Sequence, residues 1–285
     1  MCQAMKSIHE TREVRPLPTL APYQGGKRNL AKTIIERIEA VPHTTYAEGF
    51  VGMAGVFLRR RQAVKSEVIN DINKDVATFF RVLQRHYIPF LEMMRFQITT
   101  RAEFERLAAT EPGTLTDLER AARFLYLQRT AFGGKVTGQA FGVALDRPGR
   151  FDITKLGSML EDVHERLSGV VIECLPWAAF LDRYDRPQTL FYLDPPYMGT
   201  ENVYGKGVFG RDDFSNLADR MSRLKGRVIM SINDVPEIRK IFKDFILEKV
   251  KTTYTIGGGK NARPAGELLI TNQPTAKKAG GRTTK

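Results

Sequence analysis

The segment Leu190-Phe191-Tyr192-Leu193-Asp194-Pro195-Pro196-Tyr197 is an apolar strand that runs straight into an acid, two prolines and an aromatic ring. Proline has no backbone N–H and a fixed φ, so the sheet ladder must end there. Asp194 and Tyr197 are thereby held in a set relation. In an open α/β sheet, the carboxyl end of a strand is where ligands bind. A bare strand-ending turn, with Asp before Pro, is the plainer reading of the same residues.

The flanking chain alternates helical and strand patterns. A helix is predicted from about residue 27, with Leu30, Ile34, Ile35 and Ile38 on one face. A strand at 44–48 leads into the turn Gly49-Phe50-Val51-Gly52-Met53-Ala54-Gly55. A helix is then predicted to carry Val56, Phe57 and the run Arg59-Arg60-Arg61. A strand at 67–71 and a helix through Val76, Phe79, Phe80 and Leu83 follow. The rhythm breaks between 85 and 150, then resumes with a helix at 154–167 and strands at 170–173 and 189–193. A helix at 214–224, a strand at 227–232, a helix at 235–242 and a hairpin of 245–254 with 267–271 complete the pattern. Such alternation implies an α/β fold with a mainly parallel sheet covered on both faces.

Residues 1–20 carry Pro16 and Pro18 without periodicity and read as an irregular lead-in. Residues 85–150 read as an insertion, helical at first and glycine-rich and basic from 130 onward. The main domain is then 21–84 together with 151–274. Residues 275–285 are polar and basic and are expected to be disordered.

The formal charge is +12. Four of those units fall in 275–285 and one in the first twenty residues, which leaves +7 on the body. Arg120, Arg123, Arg129, Lys135, Arg147 and Arg150, against Asp146, supply five of the seven. The excess suggests a polyanionic partner, although a basic surface that serves only solubility fits the charge equally well. Cys2 and Cys174 make no zinc cluster or disulfide framework, and the four histidines lack ligand spacing, so no metal is expected. No apolar run approaches the roughly 18 to 20 residues of a membrane span. Glu10, Arg12, Glu13 and Arg15 interrupt any apolar leader. A soluble, cytoplasmic monomer is expected.

The chemistry that suits Asp194 to Tyr197 is methyl transfer to an exocyclic amine. An ionised Asp194 and the carbonyl of Pro195 only accept hydrogen bonds, and an aromatic amine offers two donors. Two acceptors gripping the amine would draw its lone pair out of the ring and toward a methyl sulfonium. Tyr197 would give the base a flat face to stack on. Positioning supplies much of the rest.

The chain resembles the Dam-like (D12) class of adenine-N6 DNA methyltransferases over about residues 22–272. The resemblance rests on Tyr23-Gln24-Gly25-Gly26-Lys27, Tyr46-Ala47-Glu48-Gly49-Phe50-Val51-Gly52, Asn70-Asp71-Ile72-Asn73 and Asp194-Pro195-Pro196-Tyr197, in that order. It implies a Rossmann-like, S-adenosylmethionine-dependent methyltransferase with 85–150 as an inserted target-recognition region. It further implies that Asp194, Pro195, Pro196 and Tyr197 do the chemistry, and that Tyr23, Lys27, Glu48, Gly52, Asp71 and Asp194 serve the cofactor. Asp71 also reads as an N-cap for the next helix, a role equally open to Asn73. The spacing of Gly49, Gly52 and Gly55 is not that of a dinucleotide-binding turn. The family often has Trp at the place of Tyr23, usually Pro at that of Gly49, and usually Gly at that of Ala54.

Double-stranded DNA is the implied partner, with the target base extruded into the pocket. Arg129-Thr130-Ala131-Phe132-Gly133-Gly134 resembles the family's target-recognition region. Arg129, Phe132, Lys135, Arg147 and Arg150 are the expected DNA contacts. Members that read GATC tend to carry Asn where Gly133 stands and an Arg-Tyr-Asn run soon after, so that sequence is not implied here. Ser231-Ile232-Asn233-Asp234 reads either as a wall of the base pocket or as helix capping. Two alternatives stand beside the main reading. One is an amino-methyltransferase acting on cytosine N4, RNA or a protein amide. The other is a catalytically silent DNA-binding relative.

Overall fold

The computed structural model describes residues 11–143, 148–201, 205, 207–254 and 263–272. The strands are β1 (Arg12–Glu13), β2 (Thr45–Glu48), β3 (Gln62–Ala63), β4 (Ser66–Asn70), β5 (Val171–Glu173), β6 (Thr189–Leu193), β7 (Arg227–Asn233), β8 (Ile246–Tyr254) and β9 (Arg263–Thr271). The helices are α1 (Ala31–Glu39), α2 (Lys74–Arg85), α3 (Tyr87–Met94), α4 (Arg101–Ala109), α5 (Asp117–Thr130), α6 (Ile153–Arg166), α7 (Trp177–Tyr184), α8 (Arg211–Arg223) and α9 (Pro236–Ile241).

Seven strands form one sheet in the order β5-β4-β2-β6-β7-β9-β8. The first five are mutually parallel, and β9 pairs antiparallel with both β7 and β8. From β2 the chain moves to β4 on one side and returns to β6 on the other. The strand order therefore reverses between β2 and β6, and a crevice opens at their carboxyl ends.

Period-two alternation divides the buried side chains between the two faces. Tyr46, Ile69, Leu190, Tyr192 and Ile229 join a cluster with α1, α2 and α6. Ala47, Val68, Phe191, Leu193 and Met230 join a second cluster with Phe180 of α7, Phe214 and Leu217 of α8 and Ile238 of α9. All five residues of β6 are buried, as a strand covered on both faces requires. The inserted helices α3 to α5 share the first cluster, where Phe79 of α2 meets Phe90 and Phe124.

Two connections between strands of the main sheet differ from the sequence reading. The segment predicted as a helix through Arg61 is a three-residue 3-10 turn, Phe57–Arg59, followed by β3. The cause is Arg60, which leaves any helical face and dives into the interior, 1% exposed and 3.9 Å over the Tyr46 ring. It ion-pairs with Glu67, whose carboxylate also takes both terminal nitrogens of Arg166 from α6. Arg166 in turn lies 4.0 Å over Phe57. The second miss is α7, the crossover from β5 to β6, whose eight residues bury only Phe180 and Leu181. No helix among the described residues is long and apolar enough to cross a membrane.

Glu67 ties the sheet to the helix that follows the insertion. Removing one member of a buried charge cluster leaves the others uncompensated, at a cost of about 3–5 kcal/mol. Glu67→Gln should lower the urea midpoint by that equivalent, with the slope unchanged.

Candidate active site at the strand-order reversal

A cavity of about 940 Å³ opens at this reversal and is lined by Tyr23, Lys27, Glu48, Gly52, Asp71 and Asp194, among others. All six expected cofactor residues therefore meet there. Pro196 lines it too, and Tyr197 follows from the same turn.

One end is built from the Tyr23 loop, the turn after β2 and the end of β4. Gly52 has φ +50°, and a Cβ there would lie 2.9 Å from the Tyr23 ring. Its N–H donates to Asp71 Oδ2 at 2.9 Å, while Asp71 Oδ1 accepts from the Asn73 N–H at 2.9 Å. Burial raises the Asp71 pKa to about 6 against these two backbone donors. The cap of α2 is Asn73, whose side chain accepts from the Asp75 N–H, so Asp71 is not that cap. Ala54, where the resemblance leads to the expectation of Gly, has a left-handed conformation with φ +56°. Asn70 staples the turn by donating to the Gly49 and Leu175 carbonyls.

Glu48 ends β2, buried, and accepts the Tyr46 hydroxyl at 2.6 Å. Burial pushes its pKa up to about 8, with the Tyr46 hydrogen bond acting the other way.

At the end of β6, Asp194 Oδ1 lies 2.5 Å from Lys27 Nζ and accepts Ser231 Oγ at 3.1 Å. Tyr192 and Ser231 share a further hydroxyl contact of 2.8 Å. Burial raises the Asp194 pKa to about 6 even though the Lys27 ammonium opposes the rise. Lys27 therefore pairs with the carboxylate of the proline turn and does not belong to the Tyr23 loop alone. It also donates to the Gly25 carbonyl at 3.1 Å.

Glu267 on β9 is fully buried, its Oε1 2.7 Å from the Tyr197 hydroxyl and 3.7 Å from Lys27 Nζ. Sequence reasoning saw it only as the start of a strand. The available signal was an acid at the head of the apolar run Leu268-Leu269-Ile270. Asn233 is no helix cap: it accepts from the Met198 N–H and donates to the Met198 carbonyl, both at 3.1 Å, and so clamps the proline turn. Asp234 pairs with Arg239.

The expected DNA contacts separate. Phe132 is 48% exposed and Lys135 is exposed. Arg129 is not a free surface cation, because its guanidinium donates to the Arg150 and Leu20 carbonyls. Arg150 is half-buried and donates to the Ala131 carbonyl at 3.4 Å. Arg147 lies outside the described residues. Arg120 and Arg123 both face Asp75, so the charge of this stretch is partly neutralised within the fold. The loop carrying Phe132 is fixed to the Tyr23 loop. The Gln24 N–H donates to the Gly134 carbonyl at 2.9 Å, and buried Gln128 donates to the Pro22 and Gly134 carbonyls. Gly134 has φ +66°, and a Cβ there would lie 2.8 Å from Pro22 backbone. Among the described residues, no three His, Cys, Asp or Glu side chains group as a metal site would need.

Residues 23–256 match the D12 class N6 adenine-specific DNA methyltransferase family. The Type II methyltransferase M.CviBI of Paramecium bursaria Chlorella virus NC1A is 21% identical over 237 residues, covering 82% of this chain and 90% of that protein. The Type II methyltransferase M1.LlaDCHI of Lactococcus lactis subsp. cremoris is 24% identical over 269 residues, covering 88% and 93%. The DNA N-6-adenine-methyltransferase of Escherichia phage P1 is 27% identical over 214 residues, 69% of this chain and 28% of that protein. The chain belongs to the D12 class N6 adenine-specific DNA methyltransferase family.

A left-handed backbone costs an L-residue about 1–2 kcal/mol, and at position 52 a methyl group would also displace the Tyr23 ring. Gly52→Ala should therefore lower thermal stability by at least that equivalent. Ala54→Gly, which releases the same backbone strain, should leave the melting temperature level or raise it. Calorimetry on the two variants separates these outcomes.

Proposed function

We propose that the protein transfers a methyl group from S-adenosylmethionine to the N6 amine of an adenine turned out of double-stranded DNA. The observation that carries this reading is Asp194, a carboxylate at the buried end of β6, opening on the cavity and already engaged by an N–H donor. An ionised carboxylate there is an acceptor for an exocyclic amine, and the Pro195 carbonyl is the second. Together they would pull the nitrogen lone pair out of the ring. After transfer the nitrogen must shed one proton, and the gripping carboxylate can take it. Tyr197 is the stacking surface, its ring anchored through the hydroxyl by Glu267.

The residues present suit the cofactor. Three carboxylates with raised pKa, Glu48, Asp71 and Asp194, line one cavity, a donor set that favours a cationic ligand. The bare backbone at Gly52 lets the Tyr23 ring pack directly on the turn after β2, so that both line the cavity together. Asp71 would hold ribose hydroxyls and Glu48 the amino-acid end. S-adenosylmethionine supplies, when bound, an electrophilic methyl on a sulfonium.

Residues 85–150 would form the target-recognition region. Phe132 and Lys135 are its exposed candidates for contact with the duplex, and Lys135 would bring salt dependence. Extrusion of the base follows because a stacked and paired adenine leaves no approach to its amine along the nitrogen lone pair, above the ring plane.

Asp194→Ala should abolish methylation in a protein that still folds; unchanged turnover would refute the reading. Methylation of random-sequence DNA followed by modification-aware sequencing identifies the atom and the recognition sequence together. Because Asp194 must be ionised to accept, turnover should fall as pH drops through about 6.

A second pH effect concerns the cofactor alone. Glu48 holds its proton up to about pH 8 in the free protein, and a cationic ligand favours the ionised form. S-adenosylmethionine binding should therefore release a proton near neutrality and tighten as pH rises toward 8. Titration calorimetry in buffers of different ionisation enthalpy reads both; no proton release would place the amino-acid end elsewhere.

A further inference from the structure

We infer that Lys27 is a place-holder for the target amine on Asp194, and that buried Glu267 is the positioning residue to which its ammonium is handed when the base arrives. The inference rests on the proposed grip of the adenine amine by Asp194 and adds to it the step that frees the carboxylate.

The Asp194 carboxylate proposed to grip the amine is occupied at Oδ1 by Lys27 Nζ at 2.5 Å. Lys27 is only 4% exposed, so its ammonium cannot simply be released to water. An unpaired charge in that interior is costly, and displacement needs a second acceptor of equal quality. Glu267 Oε1 meets that need. It is fully buried and 3.7 Å from Nζ, within ion-pair range but beyond a hydrogen bond. A shift of about 1 Å by a four-carbon side chain turns that separation into a charge-assisted hydrogen bond.

The exchange conserves charge. One ammonium and two carboxylates are present before and after, and a neutral amine takes the place that the ammonium leaves. The same Glu267 oxygen accepts the Tyr197 hydroxyl at 2.7 Å, and Lys27 Nζ stands 4.7 Å from the Tyr197 ring centroid. The proposed stacking ring and the displaced ammonium are thus referred to one atom. Glu267 reaches this edge because β9 is antiparallel: it lies opposite Asn233, where β7 ends.

The test begins with the wild-type enzyme and a duplex carrying its sequenced recognition site. If no adenine is methylated, the proposed function fails before any variant is compared. Given methylation, single-turnover rates at saturating cofactor and DNA are compared for E267Q, K27M/E267Q and Y197F. E267Q leaves the ammonium on Asp194 without an alternative, so its rate should fall about tenfold or more while both dissociation constants stay within about threefold. Removing the obstructing ammonium as well should restore part of that loss, making K27M/E267Q faster than E267Q. Y197F, which keeps the Glu267 carboxylate, should lose less than E267Q. An E267Q rate equal to wild type, a double variant no faster than E267Q, or a Y197F variant as slow as E267Q would each overturn the inference. A measurement on the unaltered enzyme guards against misfolded variants. The Lys27 ammonium resonance of nitrogen-15-labelled protein, identified by its loss in K27R, should shift when the target duplex is added with S-adenosylhomocysteine. An unmoved resonance would also overturn it.

Discussion

Keeping a carboxylate charged away from water requires partners, and at the end of β6 those partners come from almost every part of the chain. Lys27 reaches Asp194 from the loop before α1, and Ser231 reaches it from β7. Tyr192 backs Ser231 from within β6 itself, and Asn233 pins the following turn at Met198. Glu267 enters from β9. These segments lie far apart in sequence, and only a sheet with β2, β6, β7 and β9 side by side brings them together. The antiparallel entry of β9 between β7 and β8 belongs to the same requirement. A parallel strand in that place would carry its first residues to the opposite edge, away from the cavity.

The two ends of the cavity use burial in similar ways. Glu48, Asp71 and Asp194 all have raised pKa values, and in each case desolvation is the leading cause. Each also has a specific donor that limits the rise: the Tyr46 hydroxyl, the backbone N–H groups of Gly52 and Asn73, and the Lys27 ammonium. Three acids held near their ionisation points around one cavity make its charge state responsive to what enters it. In the proposed reaction a cationic cofactor would draw the protons off, and a neutral amine would require one of the acids to be ionised already.

Local patterns made part of this legible in the sequence. The β6 strand and its proline turn could be read because five apolar residues, a missing N–H and a fixed φ are all encoded within eight positions. The buried stripe of Leu30, which caps α1, and Ile34, Ile35 and Ile38 within it could be read for the same reason. Glu267 could not, since its meaning depends on an antiparallel register with β7 that neighbouring residues do not specify. Arg60 misled because its partners, Glu67, Arg166 and the Tyr46 ring, are brought together only by the fold. The count of cations between 120 and 150 misled in another way. It treated Arg120, Arg123 and Arg129 as surface charge, whereas each is engaged by an acid or by backbone carbonyls within the protein.

Those same internal bonds give the insertion a mechanical role. Arg129 holds the Leu20 carbonyl and Gln128 holds that of Pro22, while the Gln24 N–H bonds back to Gly134. The loop that presents Phe132 and Lys135 and the loop that presents Tyr23 to the cavity are therefore one hydrogen-bonded unit. At its closest point, Gly134 packs on Pro22 with no room for a side chain. Lys27 stands four residues beyond Tyr23 on the same segment, with its ammonium on Asp194. Of the basic residues that looked like a docking surface, Arg129 thus fastens the proposed recognition region to the segment that carries Tyr23 and Lys27, while Arg120 and Arg123 are held within the fold by Asp75.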